Sequence, residues 1–481
     1  MIKLIKNEFF KLFHKLSTYI ILLIAVVFVL ITNIIYKQYD QLNSNVYYEE
    51  IDITEVNNFI NNYDPTVDSL DDYVYNLALL DCYNLSHRYD ANSWQYQVFM
   101  NDYLELDTEY YRELYSSDGN STKAEELNKE LFNMLQAVYT NNWQYFAEKE
   151  KSTLENTITE YQEILEEPNL SAAETKEYNK QLFIASAELE LVNYRLDNDL
   201  IYQDDYLNLA INDIKSNLYA LADYYYEENI DASEYEDVIK DYHENKYILE
   251  EKIDTKNSNT LRSVIMNFFT EYSFLILVFT IMIAGSIVSD EFSRGTIKKL
   301  LTVPHKRSTI LWSKYITVLL TIPIIVLFLL ICELIIGGLI LGFDSLSIPA
   351  VIYNISLNKM EVLNVFSYFF LTFLANLPQL ILLVTLAFAC STILNSTAFA
   401  ITITFCGIIA AEIINGFALV YNIKLLDYFV TTNWDFTQFL FGGDSIFGLS
   451  IGFSALICLT YLVIMLIITF ITFIYKDIKN V

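Results

Sequence analysis

The chain has 481 residues, 53% of them hydrophobic, yet carries a net charge of −30. The two properties are compatible only if the residues are segregated, and they are: 48 of the 60 acidic residues lie between Asp40 and Asp254, against 13 basic ones. That balance excludes nucleic acid as a partner and predicts a membrane protein with one large acidic soluble insert.

In chain order, Met1–Lys15 places Ile2, Ile5, Phe9, Leu12 and Phe13 on one helical face. Such a stripe predicts an amphipathic helix lying in the membrane interface. Apolar runs then follow at Thr18–Tyr36, Phe268–Val288, Ile316–Leu341, Val365–Leu394, Ala398–Val420 and Phe447–Tyr475. Each has about the 20 residues that cross a bilayer. Pro378 should kink the fourth, Pro323 falls in the first turns of the third, and the last can begin with a separate short helix. The first run lacks a small-residue cleavage site after Tyr36, so it reads as a retained anchor.

The insert, 38–262, contains only Gly119, Pro65 and Pro168 as breakers, which argues for long helices. Helices are predicted near Leu70–Leu85, Ser93–Leu114, Glu125–Glu167 (one or two), Ser171–Leu200, Asp204–Glu228 and Ser233–Lys256. Ser171 and Glu174 have the spacing of a capping box. Residues 38–66 and 253–262 are expected as stalks. The tyrosines should sit half-buried with their hydroxyls in water, and the acidic, aromatic surface suits a cationic or amphipathic peptide.

The fold class expected is therefore an all-α membrane protein. It divides into an interfacial helix 1–15, spans 16–37, 263–289, 315–341, 365–394, 397–420 and 447–475, and the helical domain 38–262. Loops 290–314, 342–364 and 421–446 and a tail 476–481 complete it. Lys3, Lys6, Lys11, Lys15, the basic loop 290–314, Lys476 and Lys479 all fall on one side. The bias of Lys and Arg toward the cytoplasm puts both termini inside and 38–262 outside, in a multi-pass protein of a bacterial cytoplasmic membrane.

Catalytic chemistry is not evident. The chain has no G-x-x-x-x-G-K-[ST] phosphate cradle, His14, His87, His243 and His305 lack metal spacing, and no nucleophile is paired with a base. The chain reads as a non-enzyme with no cofactor or metal of its own. Of its five cysteines only Cys82 falls in the insert, so no disulfide can staple that domain.

The loop Glu291, Arg294-Gly295-Thr296, Lys298, Leu300-Leu301, Pro304, Arg307 and Lys314 resembles the first cytoplasmic loop of ABC-2 type exporter permeases. In that family the pattern is roughly E-x-x-x-G-T-x-K-x-L-L-x-x-P-x-x-R, followed by a Lys that opens the third span. Glu8-Phe9-Phe10-Lys11-Leu12 is similar to the family's interfacial connecting helix. The large insert after span one lies outside the minimal pattern. The resemblance implies a permease paired with a second permease, identical or paralogous, above two copies of an ATPase that bind ATP and magnesium. Residues 291–314 would then be the coupling helix, with Glu291 capping or bridging to the interfacial helix, and the cargo an amphipathic peptide, antibiotic or lipid.

Ionisable residues within spans are functional candidates by default. Glu333 and Glu412 lie about 8 residues from the outer ends of their spans, roughly 12 Å deep. With Glu271, Asn376, Gln379 and Asn415 they form a candidate substrate pathway; alternatively the carboxylates make interhelical hydrogen bonds or sit protonated in the packing. Gly337-Gly338 reads as a close-packing site. Three alternatives keep other classes open: a sensor that reads an external peptide without transporting it, an anchored binding protein without an ATPase, and an ion-driven carrier.

Overall fold

The computed structural model describes residues 1–43, 51–203, 205–227, 232–297, 305–421 and 423–476. The chain forms two compact units, 1–44 with 257–481, and 45–256. Among the described residues, six helices are long and apolar enough to cross a membrane, and sheet is confined to one hairpin. The protein is thus an all-α, multi-pass membrane protein.

The membrane unit begins with α1 (Ile2–Phe13) and α2 (Leu16–Asn43). Ile2, Phe10 and Phe13 of α1 are exposed, as suits an interfacial helix, whereas Glu8 and Leu12 are its buried positions. After the insert come α12 (Leu261–Met266), α13 (Phe268–Ser286), α14 (Ser289–Ser293) and α15 (Arg307–Leu341). They are followed by α16 (Val365–Leu394), α17 (Thr397–Tyr421) and α18 (Ile451–Tyr475). In lipid a helix satisfies its own backbone, so each apolar run folds this way and packing decides the rest. Phe268, Tyr272, Ile276 and Phe279 of α13 lie at the centre of the core, against Val29, Val318, Ile322, Val365, Phe369 and Phe388.

Three expectations are corrected here. The end of the expected loop 290–314 and span three form one helix, α15, so Pro323 lies deep inside it rather than in its first turns. The last helix starts at Ile451, capped by the Ser450 side chain on the Phe453 amide, and residues 447–450 are not helical. The loop 342–364 contains an antiparallel hairpin, β1 (Ala350–Asn354) with β2 (Lys359–Leu363), in register from Ala350↔Leu363 to Asn354↔Lys359. Its β-branched and aromatic residues flank an Asn-rich turn, with Asn358 at φ +48°. Helix α16 runs unbroken through Pro378. Gly337 and Gly338 do permit close approach: a Cβ on Gly338 would lie 2.1 Å from the Phe343 ring.

The insert unit contains α3 (Ile53–Asn61), α4 (Leu70–Ser86), α5 (Trp94–Val98), α6 (Leu104–Tyr115), α7 (Ser121–Tyr139) and α8 (Gln144–Leu165). It ends with α9 (Ala172–Asp197), α10 (Tyr206–Tyr226) and α11 (Glu236–Glu251). Ser171 and Glu174 make the capping box in full. The predicted single helix over 93–114 is interrupted by a π-helical turn at Phe99–Tyr103, and the expected stalk 38–66 holds α3. Asn141, at φ +56°, divides α7 from α8. One core gathers Phe99, Tyr103, Met134, Trp143 and Val192, and a second gathers Ile184, Ile211, Leu218 and Ile248. Several tyrosine hydroxyls bond protein rather than face water, as Tyr194 to the Leu249 carbonyl at 2.7 Å and Tyr111 to Asp81 at 2.6 Å.

Candidate functional site

The most densely connected polar site of the membrane unit joins α1 to the chain around α14 and to the first turns of α15. Lys314 is 1% exposed. Its ammonium donates to Glu8 at 2.7 Å, to the Ile287 carbonyl at 3.0 Å and to Glu291 at 3.4 Å. Lys11 donates to Glu291 at 2.7 Å and to Glu8 at 3.1 Å. Two lysines thus face two carboxylates, and the charges cancel. An ammonium has three donors, and here each has a partner, which is the condition for burying a charge. Burial works against the Lys11 ammonium, but the hydrogen bond and charge of Glu291 and those of Glu8 outweigh it and hold its pKa above the usual lysine value.

Around this node the site widens. Thr296 donates its hydroxyl to Glu291, and Gly295 takes φ +68°, a left-handed conformation that a side chain would strain. Lys15 reaches Asp290 at 2.6 Å, and Asp290 also accepts from Thr397. Ser289 bonds Ser391 and Thr397, so α14 is tied to the end of α16 and the start of α17. Arg307 donates to the Ile474 and Lys476 carbonyls, both at 3.0 Å. Lys476 in turn caps α16 through the Thr392 and Ile393 carbonyls and Asn395. Arg294 is exposed at a cavity of about 570 Å³ that Lys11, Lys15, Asp290 and Glu291 also line.

Of the residues singled out from the sequence, Glu291, Thr296 and Lys314 meet in this node, while Arg294, Gly295 and Arg307 surround it. Lys298, Leu300, Leu301 and Pro304 lie outside the described residues. Glu8 was visible in the sequence, but not as the buried partner of Lys314.

The intramembrane candidates separate. Glu271 accepts from Tyr36 at 2.8 Å. Glu333 is fully buried and accepts from Tyr272 at 2.5 Å and from the Asn33 amide at 3.0 Å. Glu412 lies on an exposed face of α17, and Asn376 turns its amide onto the Thr372 carbonyl. Gln379 is half-buried, and Asn415 has a buried oxygen without a partner. None of these last four hydrogen-bonds either Glu271 or Glu333. Asn33 and Tyr272 were missed. Their signal was an amide inside the first apolar run and a tyrosine directly after Glu271.

The insert unit has a cavity of its own, about 830 Å³, in the size range of a small-molecule site. Trp94, Phe146 and Tyr202 give it apolar walls; Asp102, Glu150 and Glu188 give it carboxylates. Arg195 is buried there, stacked 3.8 Å over the Tyr202 ring and bonded to Asn208 and the Leu200 carbonyl. Glu150 is taken by Lys215 at 2.6 Å. Burial pushes the Glu188 carboxyl above the usual carboxylate range, and Glu150 adds to this against Lys215.

Residues 235–479, just over half of the chain, match the model of a family described as a protein of unknown function, DUF2705. The chain belongs to that family. It is 28% identical over 236 residues to the uncharacterized protein YhcI of Bacillus subtilis (strain 168), covering 49% of this chain and 75% of that one. It is 26% identical over 206 residues to the uncharacterized membrane protein YdbK of the same organism, covering 43% and 78%. The matched family region takes in α13 to α18 and leaves most of the insert outside it. No solved structure matches the chain.

Proposed function

We propose that this chain is the transmembrane permease subunit of an ATP-driven ABC-2 type exporter. A separate ATPase, in two copies, docks beneath the loop 290–314, and a second permease, identical or paralogous, completes the complex. ATP and magnesium belong to the ATPase. The observation that carries the reading is the node in which the buried Lys314, Glu8 and Glu291 are joined by the partly exposed Lys11. It welds the interfacial helix, the loop after span two and the base of span three into one piece. A push on the loop would therefore move α15 and α1 together, as a coupling element must. Both termini face the cytoplasm in this reading, the insert faces outward, and the cargo is an amphipathic peptide, antibiotic or lipid.

Affinity purification of the tagged protein in mild detergent, with the co-purifying chains identified, tests the proposal. A stoichiometric soluble ATPase is expected, and its absence from a monodisperse preparation sinks the assignment. In the reconstituted complex, Glu291→Lys or deletion of Gly295-Thr296 should leave membrane insertion intact and abolish substrate-stimulated ATP hydrolysis. The insert cavity favours a second reading, a sensor that reads an external peptide. Cargo efflux from proteoliposomes that depends on ATP separates transport from sensing.

A further inference from the structure

The node at the base of the spans balances its charges; the polar pair between α2 and α15 does not. Glu333 and Asn33 are both fully buried. Glu333 uses one carboxyl oxygen twice, accepting from the Tyr272 hydroxyl at 2.5 Å and from the Asn33 amide nitrogen at 3.0 Å. The second amide hydrogen of Asn33 goes to the Val29 carbonyl at 2.9 Å. That leaves two orphans, Glu333 Oε1 and Asn33 Oδ1, each buried without a partner. They converge: a Cβ on Gly337 would lie 2.3 Å from the first and 2.8 Å from the second.

Two facing oxygens with no donor between them repel, and each costs the desolvation of an unpaired acceptor. No lysine, arginine or histidine among the described residues forms an ion pair with Glu333. The titratable groups around it are Tyr272 and Glu271 on α13, Tyr36 on α2 and Cys332 beside it on α15, none of them cationic. A bare carboxylate in lipid without a cation is among the costliest groups to bury. A single hydrogen removes both problems. On Glu333 Oε1 it makes a donor, and Asn33 Oδ1 is an unpartnered acceptor beside the same Gly337 notch. The acid then gives to the amide oxygen while the amide gives to the acid oxygen.

We propose that Glu333 is a proton-binding site, an un-ionised carboxylic acid closing a two-hydrogen-bond ring with the Asn33 carboxamide that clips α2 to α15. Tyr272 holds the third position by donating to the acid's carbonyl oxygen. Gly337 keeps the notch open, because any side chain would sit on the ring. Loss of the proton leaves Oε1 and Oδ1 unpaired beside each other and undoes this clip between α2 and α15. This inference does not depend on which partner the chain docks.

Infrared spectra of the purified full-length protein, taken in H₂O and D₂O at neutral pH, read the site directly. Wild type is expected to show a protonated-carboxyl stretch that shifts in D₂O and is missing from E333Q. The glutamine keeps both ring hydrogen bonds, so E333Q should insert and remain monodisperse. N33A should keep the band but move its frequency, which separates loss of the proton from loss of the ring. No band that responds to E333Q leaves an ionised glutamate and overturns the proposal. A band that vanishes on adding sodium chloride overturns it too, since the oxygens would then hold a metal cation.

Discussion

The same pairing of a basic side chain with carboxylate is used in opposite ways by the two units. In the membrane unit Lys314 is sealed off with Glu8 and Glu291, and its side chain is 1% exposed. In the insert Arg112 meets Asp71 with side chains 48% and 70% exposed. A solvated pair gains little over its separate hydration and contributes about 0–1 kcal/mol, whereas removing one partner of a buried pair strands a charge. The insert can therefore hold most of the chain's acids as a solvated coat, while every buried charge at the base of the spans must be matched.

Lys314→Ala is the strongest test of that contrast. It leaves Glu8 and Glu291 to share Lys11, with one buried negative charge unmatched, and the expected loss is about 3–5 kcal/mol, seen as a lowered thermal midpoint in detergent. A change no larger than that of a surface substitution would mean the node is wetter than its burial indicates. Among the insert's counter-examples is Asp107, which is 3% exposed, with one oxygen unpartnered. Burial first, and the charge of Asp81 second, push its pKa up to about 7. The folded state thus binds this proton more tightly than the unfolded chain, so its contribution falls as pH rises from about 4 to about 7 and is level above that. The swing is on the order of 4 kcal/mol. Urea titrations of wild type and Asp107→Asn across that window should show the slope in the first and a flatter profile in the second.

Smaller effects follow. Ser171→Ala removes the capping box of α9 and should cost about 1 kcal/mol, read by the same urea midpoint. Arg112→Ala should cost about 0–1 kcal/mol and less in high salt. If Arg112→Ala proved as damaging as Lys314→Ala, burial would not be the variable that separates the two units.

What could be read from the sequence follows the range of the interactions involved. Six apolar runs declare spans because each is local, and Ser171 with Glu174 declares a helix start for the same reason. The join of Lys314 to Glu8 spans 306 positions, and no local rule brings them together, although the spacing of Glu291, Gly295-Thr296 and Lys314 marked the loop. Asn141 could not be identified as the break between α7 and α8, because asparagine tolerates both helical and left-handed backbone. The hairpin at 350–363 was hidden by its shortness, and Asn33 by the apolar residues around it, which made the run read as uniform lipid-facing helix.

The dryness of the Lys314 node has a consequence for ionic strength. Mobile ions screen charges that water reaches, with a Debye length of about 10 Å at 0.1 M salt, and screen buried pairs far less. A wash in concentrated salt should loosen whatever is held by the exposed Arg294 while leaving α1, α14 and α15 latched. The membrane protein would come out of such a wash with these three helices still joined.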